Sequence, residues 1–335
     1  MQNIAVIGCG YWGPNHIRNL SALDESIVKS ICDLNVTRLD HLQGMYPNIE
    51  TTTQYEDIIR DERIDAVVIA TPVGTHFRIA LDCIESGKHV FIEKPMASST
   101  RECDTLIQKA AEKKVRIMVG HTFLYTPAVR KIKEIIQSGD LGELLCINSR
   151  RLNLGLLQND INVAWDLAPH DLSILLYILD EKPFSISCTG QSHYLDTIED
   201  ITSISLSFPN RLFASIQSSW LDPKKIREMT IVGTKKMIVY DDIEPVEKIR
   251  IYDKHVDAPS HYDTFAEFHY SYHYGDCYIP YIHQEEPLKI ECQHFLDCIR
   301  ENRNPLSDGM NGREVVRILE KADESITKNG QAIRM

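Results

Sequence analysis

The stretch NIAVIGCGYWG, residues 3–13, decides the fold of the first part of the chain. An apolar run ends at Gly8, and Gly10 and Gly13 complete a G-x-G-x-x-G pattern before a helical pattern that begins at Pro14. Glycines allow the backbone to turn tightly between a strand and a helix, so that a pyrophosphate can reach the helix N-terminus. The context predicts a dinucleotide-binding turn, with a tight turn that binds no ligand as the alternative.

An acidic residue follows the glycines at the spacing that a ribose contact requires. Asp33 lies about 20 residues after Gly13, at the end of the predicted strand IVKSICD (27–33). A carboxylate at this position accepts hydrogen bonds from the adenosine ribose hydroxyls and repels a 2′-phosphate. Because no arginine directly follows Asp33, the sequence predicts NAD rather than NADP as the cofactor.

Strand and helix patterns alternate up to residue 120. Strands are predicted at 3–8, 27–33, 64–71, 88–94 and 115–120, and helices at 14–23, 35–45, 75–86 and 100–113. Ser99 and Glu102 have the S-x-x-E spacing that closes a helix N-terminus. Such alternation is typical of a parallel sheet with helices on both faces. We predict an α/β fold whose N-terminal Rossmann domain, a doubly wound parallel sheet, spans residues 1–122.

After residue 140, runs of β-forming residues follow one another. Strands are predicted at 143–153, 184–193, 200–208, 211–220, 227–233 and 236–240. A helix at 167–179 interrupts them, and helices at 288–301 and 312–328 close the chain, with Pro287 suited to a first helical turn. We predict a C-terminal α+β domain with a mostly antiparallel sheet at residues 123–335, whose closing helices are able to pack back on the first domain.

The composition limits the classes of partner. The chain has 335 residues and a formal net charge of −12, which disfavours nucleic acid because binding it needs a basic surface. No apolar run approaches the roughly 20 residues of a membrane span, and the N-terminus lacks the features of a secretory signal. The nine cysteines include no CxxC pair, which favours a reducing compartment. We expect a cytoplasmic protein that binds no nucleic acid and no membrane, with Cys9 and Cys32 buried as small apolar residues.

A lysine follows one of the predicted strands. IEKPM (92–96) places Lys94 at the carboxyl end of the strand, where ligands bind in open α/β sheets. A cis peptide bond is accessible before proline, and we expect one before Pro95 because it would shape the turn that presents Lys94.

Two titratable groups stand at the beginning of the apolar helix. WDLAPHD (165–171) contains Asp166 and His170 with Pro169 between them. Because proline is tolerated in a first helical turn, we expect the helix to begin near Asp166. The helix dipole then favours a neutral His170, which can accept a hydroxyl proton. The alternatives are an N-cap role for Asp166 and a core position for His170.

These motifs together resemble the glucose–fructose oxidoreductase / inositol dehydrogenase / rhizopine-catabolism (Gfo/Idh/MocA) family. The resemblance runs in order through the glycine pattern, ATPVGTH (70–76), Glu93-Lys94-Pro95, GHTFLYTP (120–127) and the D-x-x-x-H of Asp166 and His170. It implies a Rossmann domain, an α/β domain with an open sheet, and hydride transfer between a sugar carbon and nicotinamide. The family often has glycine two residues after this aspartate, whereas this chain has Ala168.

The resemblance also implies site residues. Lys94, Asp166 and His170 are expected to be catalytic, with Lys94 contacting both the nicotinamide and the reacting hydroxyl. Contacts with the cofactor are expected from Gly8, Gly10, Tyr11, Trp12, Gly13, Asp33, Arg38, Thr71, Pro72, His76, Glu93 and Lys94. Contacts with the substrate are expected from His121, Tyr125, Arg151, Asn153, Trp165, Asp166 and His170.

The substrate is indicated less directly. Arg151 and Asn153 share one face of a predicted strand, where an arginine either binds a phosphate or carboxylate or lies on a solvated face. Stretches from RRLNLG to PLSDG resemble the family branch that oxidises the 3-hydroxyl of UDP-N-acetylglucosamine or its uronic acid. The alternatives are a dehydrogenase of a free sugar or cyclitol and a non-catalytic NAD-binding regulator. The expected partners are a sugar or UDP-sugar and further copies of the chain, in a homodimer or homotetramer.

Residues 253–285 are dense in Tyr and His and show no clear period. We predict a long ordered loop or an irregular sheet edge that covers the substrate or contacts another subunit. His269 and His273 have the spacing of metal ligands on a helix, near Glu267 and Asp276. Because the segment lacks a helical period, the sequence predicts no metal site.

Overall fold

The computed structural model describes residues 1–257 and 271–335. It divides into two compact units, one comprising Met1–Thr126 with Glu285–Glu320 and the other Pro127–Gln284 with Lys321–Met335. Within the described ranges, none of the helices combines the length and the apolar character needed to cross a membrane.

Strands and helices alternate in the first part of the chain. They are β1 (Gln2–Ile7), α1 (Gly13–Ser21), β2 (Ser26–Cys32), α2 (Val36–Met45), β3 (Glu50–Thr52), α3 (Tyr55–Arg60), β4 (Ala66–Ile69), α4 (Val73–Glu85), β5 (His89–Ile92), α5 (Thr100–Lys113) and β6 (Ile117–Val119). The later elements are α6 (Pro127–Gln137), β7 (Leu144–Leu154), α7 (Val163–Leu179), β8 (Ser185–Gln191), β9 (Ile201–Ser207), β10 (Phe213–Ser219), β11 (Leu221–Gly233), β12 (Met237–Asp241), β13 (Ile249–Asp257), β14 (Ser271–Tyr278), α8 (Pro287–Arg300), α9 (Gly309–Thr327) and β15 (Ile333–Arg334).

The strands of the first unit form a parallel sheet in the order β3-β2-β1-β4-β5-β6. All of β4 is buried, as expected for a strand that helices cover on both faces. The chain order reverses between β1 and β4, and such a switch point opens a crevice for ligands at the carboxyl ends of the strands. The predicted Rossmann sheet is confirmed, as is the cap of α5, where Ser99 accepts a hydrogen bond from the backbone nitrogen of Glu102.

A helix from the far end of the chain completes the first unit. α8 packs against α1 and against the 3-10 turn at Thr122–Tyr125. Its first residue is Pro287, as predicted, where the missing N–H costs no helical hydrogen bond. Arg18 of α1 forms an ion pair with Glu286 at the beginning of α8. The first unit is therefore assembled from two separated segments of the sequence.

The second unit contains, within the described residues, a nine-stranded sheet in the order β14-β13-β12-β11-β7-β10-β9-β8-β15. Neighbouring strands are antiparallel except for β7 and β10, which are parallel. α7 packs on β7, β9 and β10, and burial alternates along β9, so one face of the sheet is buried. The mostly antiparallel sheet predicted from the sequence is confirmed.

The predicted beginning of α7 is wrong by about one turn. The helix begins at Val163, and Asn162 caps it by accepting a hydrogen bond from the backbone nitrogen of Trp165. Pro169 lies inside the helix, where it cannot donate to the carbonyl of Trp165. Asp166 is therefore not the N-cap. A capping asparagine determines the helix start here, and the proline is accommodated.

The described part of the Tyr- and His-rich segment is more regular than predicted. β13 and β14 pair antiparallel at the edge of the second sheet, which places His273 in a strand. Glu267 and His269, which entered the prediction, lie outside the described residues. The strand pattern was missed because, from Asp253 onward, most side chains on both faces of this hairpin are polar or aromatic, so no apolar alternation marks it.

A buried ion pair connects β7 with α7. Arg151 is 4% exposed, and its Nε donates to Asp171 Oδ2 over 2.6 Å. Ser149 Oγ donates to the other oxygen of Asp171 over 2.7 Å. Arg150, on the opposite face of the strand, lies 3.5 Å from Glu228. The guanidinium of Arg151 is thus committed to the sheet–helix contact, which argues against the substrate contact expected from the sequence.

We expect Arg151→Met to lower the free energy of unfolding by about 3–5 kcal/mol, because it leaves the Asp171 carboxylate buried without its cation. The matched control Arg150→Met removes an exposed pair and should change this free energy by less than about 1 kcal/mol. Urea denaturation followed by tryptophan fluorescence measures both. Equal effects of the two substitutions would contradict the role assigned to the buried pair.

Candidate active site

The glycine turn between β1 and α1 contains two very close backbone approaches. A Cβ on Gly13 would lie 2.0 Å from the carbonyl oxygen of Gly8. A Cβ on Gly8, whose φ is +96°, would lie 2.6 Å from the backbone of Ala70. Gly10 differs, because the nearest atom to its Cβ would be Arg38 Nη1 at 3.9 Å. Packing therefore requires two of the glycines, and the third leaves the turn open where a pyrophosphate meets the backbone.

The N-terminus of α1 is also suited to bind a pyrophosphate. Its N-cap residue, Trp12, makes no side-chain hydrogen bond to the helix. The first backbone N–H groups of a helix carry partial positive charge and bind phosphate. Tyr11 and Trp12 are exposed beside the turn and contact each other edge to face, with ring centroids 5.4 Å apart.

Asp33 is held firmly beside the glycine turn. Its Oδ2 accepts a hydrogen bond from the Cys9 backbone nitrogen over 2.7 Å, and its Oδ1 accepts one from the Asn35 nitrogen over 2.8 Å. Arg38 Nη1 lies 3.7 Å from Asp33 Oδ2. The fixed carboxylate fits the ribose hydroxyls of NAD. Cys9 and Cys32 are buried, as expected, and burial raises the pKa of both thiols to about 12.

The turn between β4 and α4 carries the predicted residues Thr71 and Pro72, and His76 follows in the first turn of α4. Pro72 precedes α4, and the Thr71 hydroxyl accepts a hydrogen bond from Thr75 Oγ1 over 2.8 Å. His76 is buried, and its ring nitrogens lie 2.9 Å from the Pro95 carbonyl oxygen and 2.7 Å from that of Thr71. The imidazole thus ties two loops together, which argues against the direct cofactor contact expected of it.

Lys94 directly follows β5, next to an anchored glutamate. Glu93 is 6% exposed, and its Oε1 lies 2.6 Å from Nε2 of His16 in α1. Its Oε2 accepts a hydrogen bond from the Lys94 backbone nitrogen over 3.3 Å. The peptide bond between Lys94 and Pro95 is cis, as expected. Glu93 therefore fixes the backbone that presents Lys94, and its inward carboxylate argues against a cofactor contact. Sequence reasoning missed His16, which no local motif marks.

His121 is a buried imidazole beside these residues. It is 1% exposed, and neither ring nitrogen has a hydrogen-bond partner among the described residues. Burial lowers the pKa of His121 to about 4, so the ring is neutral at pH 7. Buried polar atoms are nearly always hydrogen-bonded, because an unsatisfied one costs free energy. His121 therefore fits a ligand that completes its hydrogen bonds.

Two further buried groups belong to the same unit. Tyr125 is fully buried and its hydroxyl lies 3.0 Å from Ser307 Oγ, which argues against the expected substrate contact. Glu291 of α8 accepts a hydrogen bond from Thr122 Oγ1 over 2.7 Å. Burial raises the pKa of Glu291 well above its ordinary value, which favours the protonated carboxyl. The sequence signal for Glu291 was its place on the apolar stripe of α8, one turn after Leu288.

In the second unit, Asp166 and His170 lie one turn apart on the same side of α7. Both are partly exposed. Asp166 Oδ2 accepts a hydrogen bond from Nε1 of Trp220 over 3.0 Å, a partner that sequence reasoning missed. His170 lies about two turns from the helix N-terminus, beyond the first turn in which the dipole acts. The predicted dipole effect on His170 is therefore wrong.

The remaining two predicted residues of the second unit differ in their surroundings. Trp165 is buried and its Nε1 donates to Asp323 Oδ2 over 2.6 Å, which argues for a structural role. Asn153 is partly exposed. A Cβ on Gly155 would lie 2.8 Å from both Asn153 Nδ2 and Trp220 Cδ1, so these groups crowd together. Trp220 thus lies close to Asn153 and bonds to Asp166.

A glycine turn at the switch point of the sheet, a fixed acid after β2 and a lysine after β5 define an NAD-binding oxidoreductase. Residues 2–121 match the profile described as "Oxidoreductase family, NAD-binding Rossmann fold", and residues 129–239 match "GFO/IDH/MocA C-terminal domain". The chain belongs to the Gfo/Idh/MocA family. The resemblance and the NAD cofactor predicted from the sequence are confirmed.

Relatives are similar over nearly the whole chain. UDP-N-acetylglucosamine 3-dehydrogenase of Acidithiobacillus ferrooxidans is 25% identical over 327 residues, which cover 93% of each chain. The NAD⁺-dependent scyllo-inositol 2-dehydrogenase of Bacillus subtilis is 24% identical over 324 residues, which cover 90% of this chain and 87% of the relative. A solved structure of the Acidithiobacillus enzyme has a TM-score of 0.81 at 23% identity over 98% of both chains, which supports the fold.

We expect Asp33→Ala to raise the affinity for NADPH relative to NADH by about tenfold or more, the equivalent of one charge-assisted hydrogen bond. The substitution removes the carboxylate that bonds the ribose and repels a 2′-phosphate, and leaves Arg38 in place to pair with that phosphate. Fluorescence titration with the two reduced cofactors measures the ratio. Asp33→Ala with Arg38→Ala should lose the gain, and an unchanged ratio in the single variant would oppose the role of Asp33.

Proposed function

We propose that this protein is an NAD-dependent dehydrogenase that oxidises a sugar hydroxyl, namely the 3-hydroxyl of a UDP-N-acetylhexosamine or its uronic acid. The observation that carries the proposal is the 25% identity to UDP-N-acetylglucosamine 3-dehydrogenase over 93% of each chain. Lys94, Asp166 and His170, in the order of the family motifs, support the oxidation step.

Lys94 is the proposed ligand of the reacting hydroxyl. It is partly exposed directly after β5, at the sheet edge where ligands bind in open α/β folds. The buried pair of Glu93 and His16 fixes its backbone. An ammonium group next to the hydroxyl oxygen stabilises the negative charge that develops as the proton leaves.

His170 is the proposed base. A neutral imidazole accepts the hydroxyl proton while hydride leaves the same carbon, so the alcohol becomes a ketone. Asp166, which Trp220 holds by a hydrogen bond, orients His170 or the sugar. When bound, NAD supplies the nicotinamide ring that accepts the hydride.

His121 and Asn153 are proposed to contact the sugar. The neutral imidazole of His121 offers one donor and one acceptor, a combination that suits a hydroxyl group. Its burial and its unsatisfied nitrogens, among the described residues, support this assignment. The amide of Asn153 offers both donors and acceptors and is partly exposed.

A free sugar or cyclitol is a second candidate substrate, favoured by the 24% identity to scyllo-inositol 2-dehydrogenase. The two candidates differ in the nucleotide, so binding of UDP alone separates them. A non-catalytic NAD-binding regulator is disfavoured, because such a protein needs no Lys94 or His170. We also propose a homodimer or homotetramer, because open sheet faces of this family commonly pair between subunits.

Lys94→Ala should lower kcat for NADH formation by about 10²–10⁴-fold, because the developing charge on the hydroxyl oxygen loses its cation. NADH binding, measured by fluorescence, should change far less. Lys109→Ala is the matched control, since Lys109 is a partly exposed lysine of α5, as Lys94 is partly exposed, and pairs with Glu112. A fully active Lys94→Ala variant would refute the assigned role.

UDP alone should raise the thermal unfolding midpoint, because a ligand at about 100 times its Kd stabilises the native state by about 2.7 kcal/mol. Free inositols at the same concentration should have no effect. With NAD, one UDP-sugar of a panel should yield NADH and a 3-keto product by mass spectrometry. If an inositol raised the unfolding midpoint and yielded NADH while UDP compounds did neither, the protein would instead be assigned as a dehydrogenase of a free sugar or cyclitol.

A further inference from the structure

The hairpin of β13 and β14 brings two histidines together at the edge of the second sheet. His255 and His273 are direct cross-strand partners, so their side chains lie on the same face. Asp253 precedes His255 by two residues on β13 and shares that face. The face continues the row of Ile249 and Ile251, which is partly buried further along the strand.

The side chains of this face converge. The rings of His255 and His273 are stacked, with centroids 4.6 Å apart and planes inclined by 25°. Asp253 Oδ2 lies 3.1 Å from His273 Nε2. One ligand atom from each of these three residues lies within 4.8 Å of the others. Tetrahedral zinc holds its ligands about 3.5 Å apart, so binding an ion would turn the two rings out of their stack and draw the three ligand atoms together.

The backbone is adapted to this arrangement. The register between the two strands shifts between Tyr252 and Lys254, so that Gly275 comes to lie beside Asp253. A Cβ on Gly275 would lie 2.3 Å from Asp253 Oδ2, so glycine leaves the room that the carboxylate occupies. The opposite face of β13 carries a cation and an aromatic ring instead, with Lys254 Nζ lying 5.4 Å from the centroid of the Tyr252 ring.

His255 is oriented by a second carboxylate. Its Nε2 lies 3.3 Å from Oδ1 of Asp257, which suits an N–H donor at that nitrogen. Nδ1 is buried and has no hydrogen-bond partner among the described residues, so its lone pair is unused there. A carboxylate that holds the far nitrogen of a metal-binding imidazole is the usual outer contact of zinc sites.

We propose that Asp253, His255 and His273 bind one Zn²⁺ ion, with water as the fourth ligand. Two imidazoles and a carboxylate suit zinc, whereas calcium and magnesium take oxygen ligands. The ion would cross-link β13 to β14 at the sheet edge, which is a structural role independent of the proposed dehydrogenase reaction. The prediction of no metal considered His273 only as a helical neighbour of His269, whereas the strand pairs it with His255.

The test is a zinc titration of the EDTA-treated full-length protein in competition with a chromophoric chelator. We expect one zinc per chain. His273→Gln and His255→Gln should each weaken zinc binding by at least about tenfold, because the loss of an outer-shell contact alone already weakens binding by that factor. His193→Gln is the matched control. His193 also pairs with an aspartate, since its Nδ1 lies 2.7 Å from Oδ1 of Asp200, but it is not part of the proposed zinc site. This variant should leave the zinc affinity unchanged.

Cobalt substitution supplies a second measurement. A four-coordinate Co²⁺ spectrum without a sulfur charge-transfer band, lost in His273→Gln, supports the site. Absence of tight zinc binding, zinc affinity that both histidine variants retain, or a thiolate band from the nine cysteines would each overturn it. NADH binding of every variant verifies that the chain is folded, and failure of the dehydrogenase proposal would leave these outcomes unchanged.

Discussion

The close approach of Gly13 to the carbonyl oxygen of Gly8 is the contact on which the first unit depends. It brings α1 directly against the end of β1, where no larger residue fits. α1 in turn carries His16 into the interior, and His16 holds Glu93. Glu93 holds the backbone nitrogen of Lys94. The turn that shapes the cofactor site therefore also positions, through two buried side chains, the lysine that we propose to act on the substrate.

In the second unit, the single helix α7 carries both a residue that stabilises the fold and residues of the proposed active site. Asp171 of α7 faces the sheet and neutralises Arg151, while its neighbour His170 is partly exposed. Asp166 is held from the sheet side by Trp220. Consecutive helical residues point in different directions, so the two tasks do not compete for the same space. The apolar remainder of the helix packs on the strands and keeps both sets of polar groups in place.

Signals that depend on a few neighbouring residues were predictable from the sequence. The glycine turn, Asp33, the cap at Ser99 and the position of Lys94 after a strand are of this kind, as is the class of each sheet. Contacts between distant residues were not. His16 with Glu93, Arg151 with Asp171 and Glu291 with Thr122 join segments whose proximity no local pattern encodes. The start of α7 was misjudged because two local signals, Asn162 and Pro169, competed, and capping prevailed.

The assembly of the NAD-binding unit from Met1–Thr126 and Glu285–Glu320 has a consequence for synthesis in the cell. During translation, the sheet around β1 emerges from the ribosome long before α8, which covers α1. Domains usually fold as units from the N-terminus onward. Here the apolar side of α1 stays uncovered until α8, Pro287–Arg300, has been made. Premature termination anywhere before residue 285 therefore leaves a nascent Rossmann sheet with an exposed flank, a substrate for chaperones and proteases.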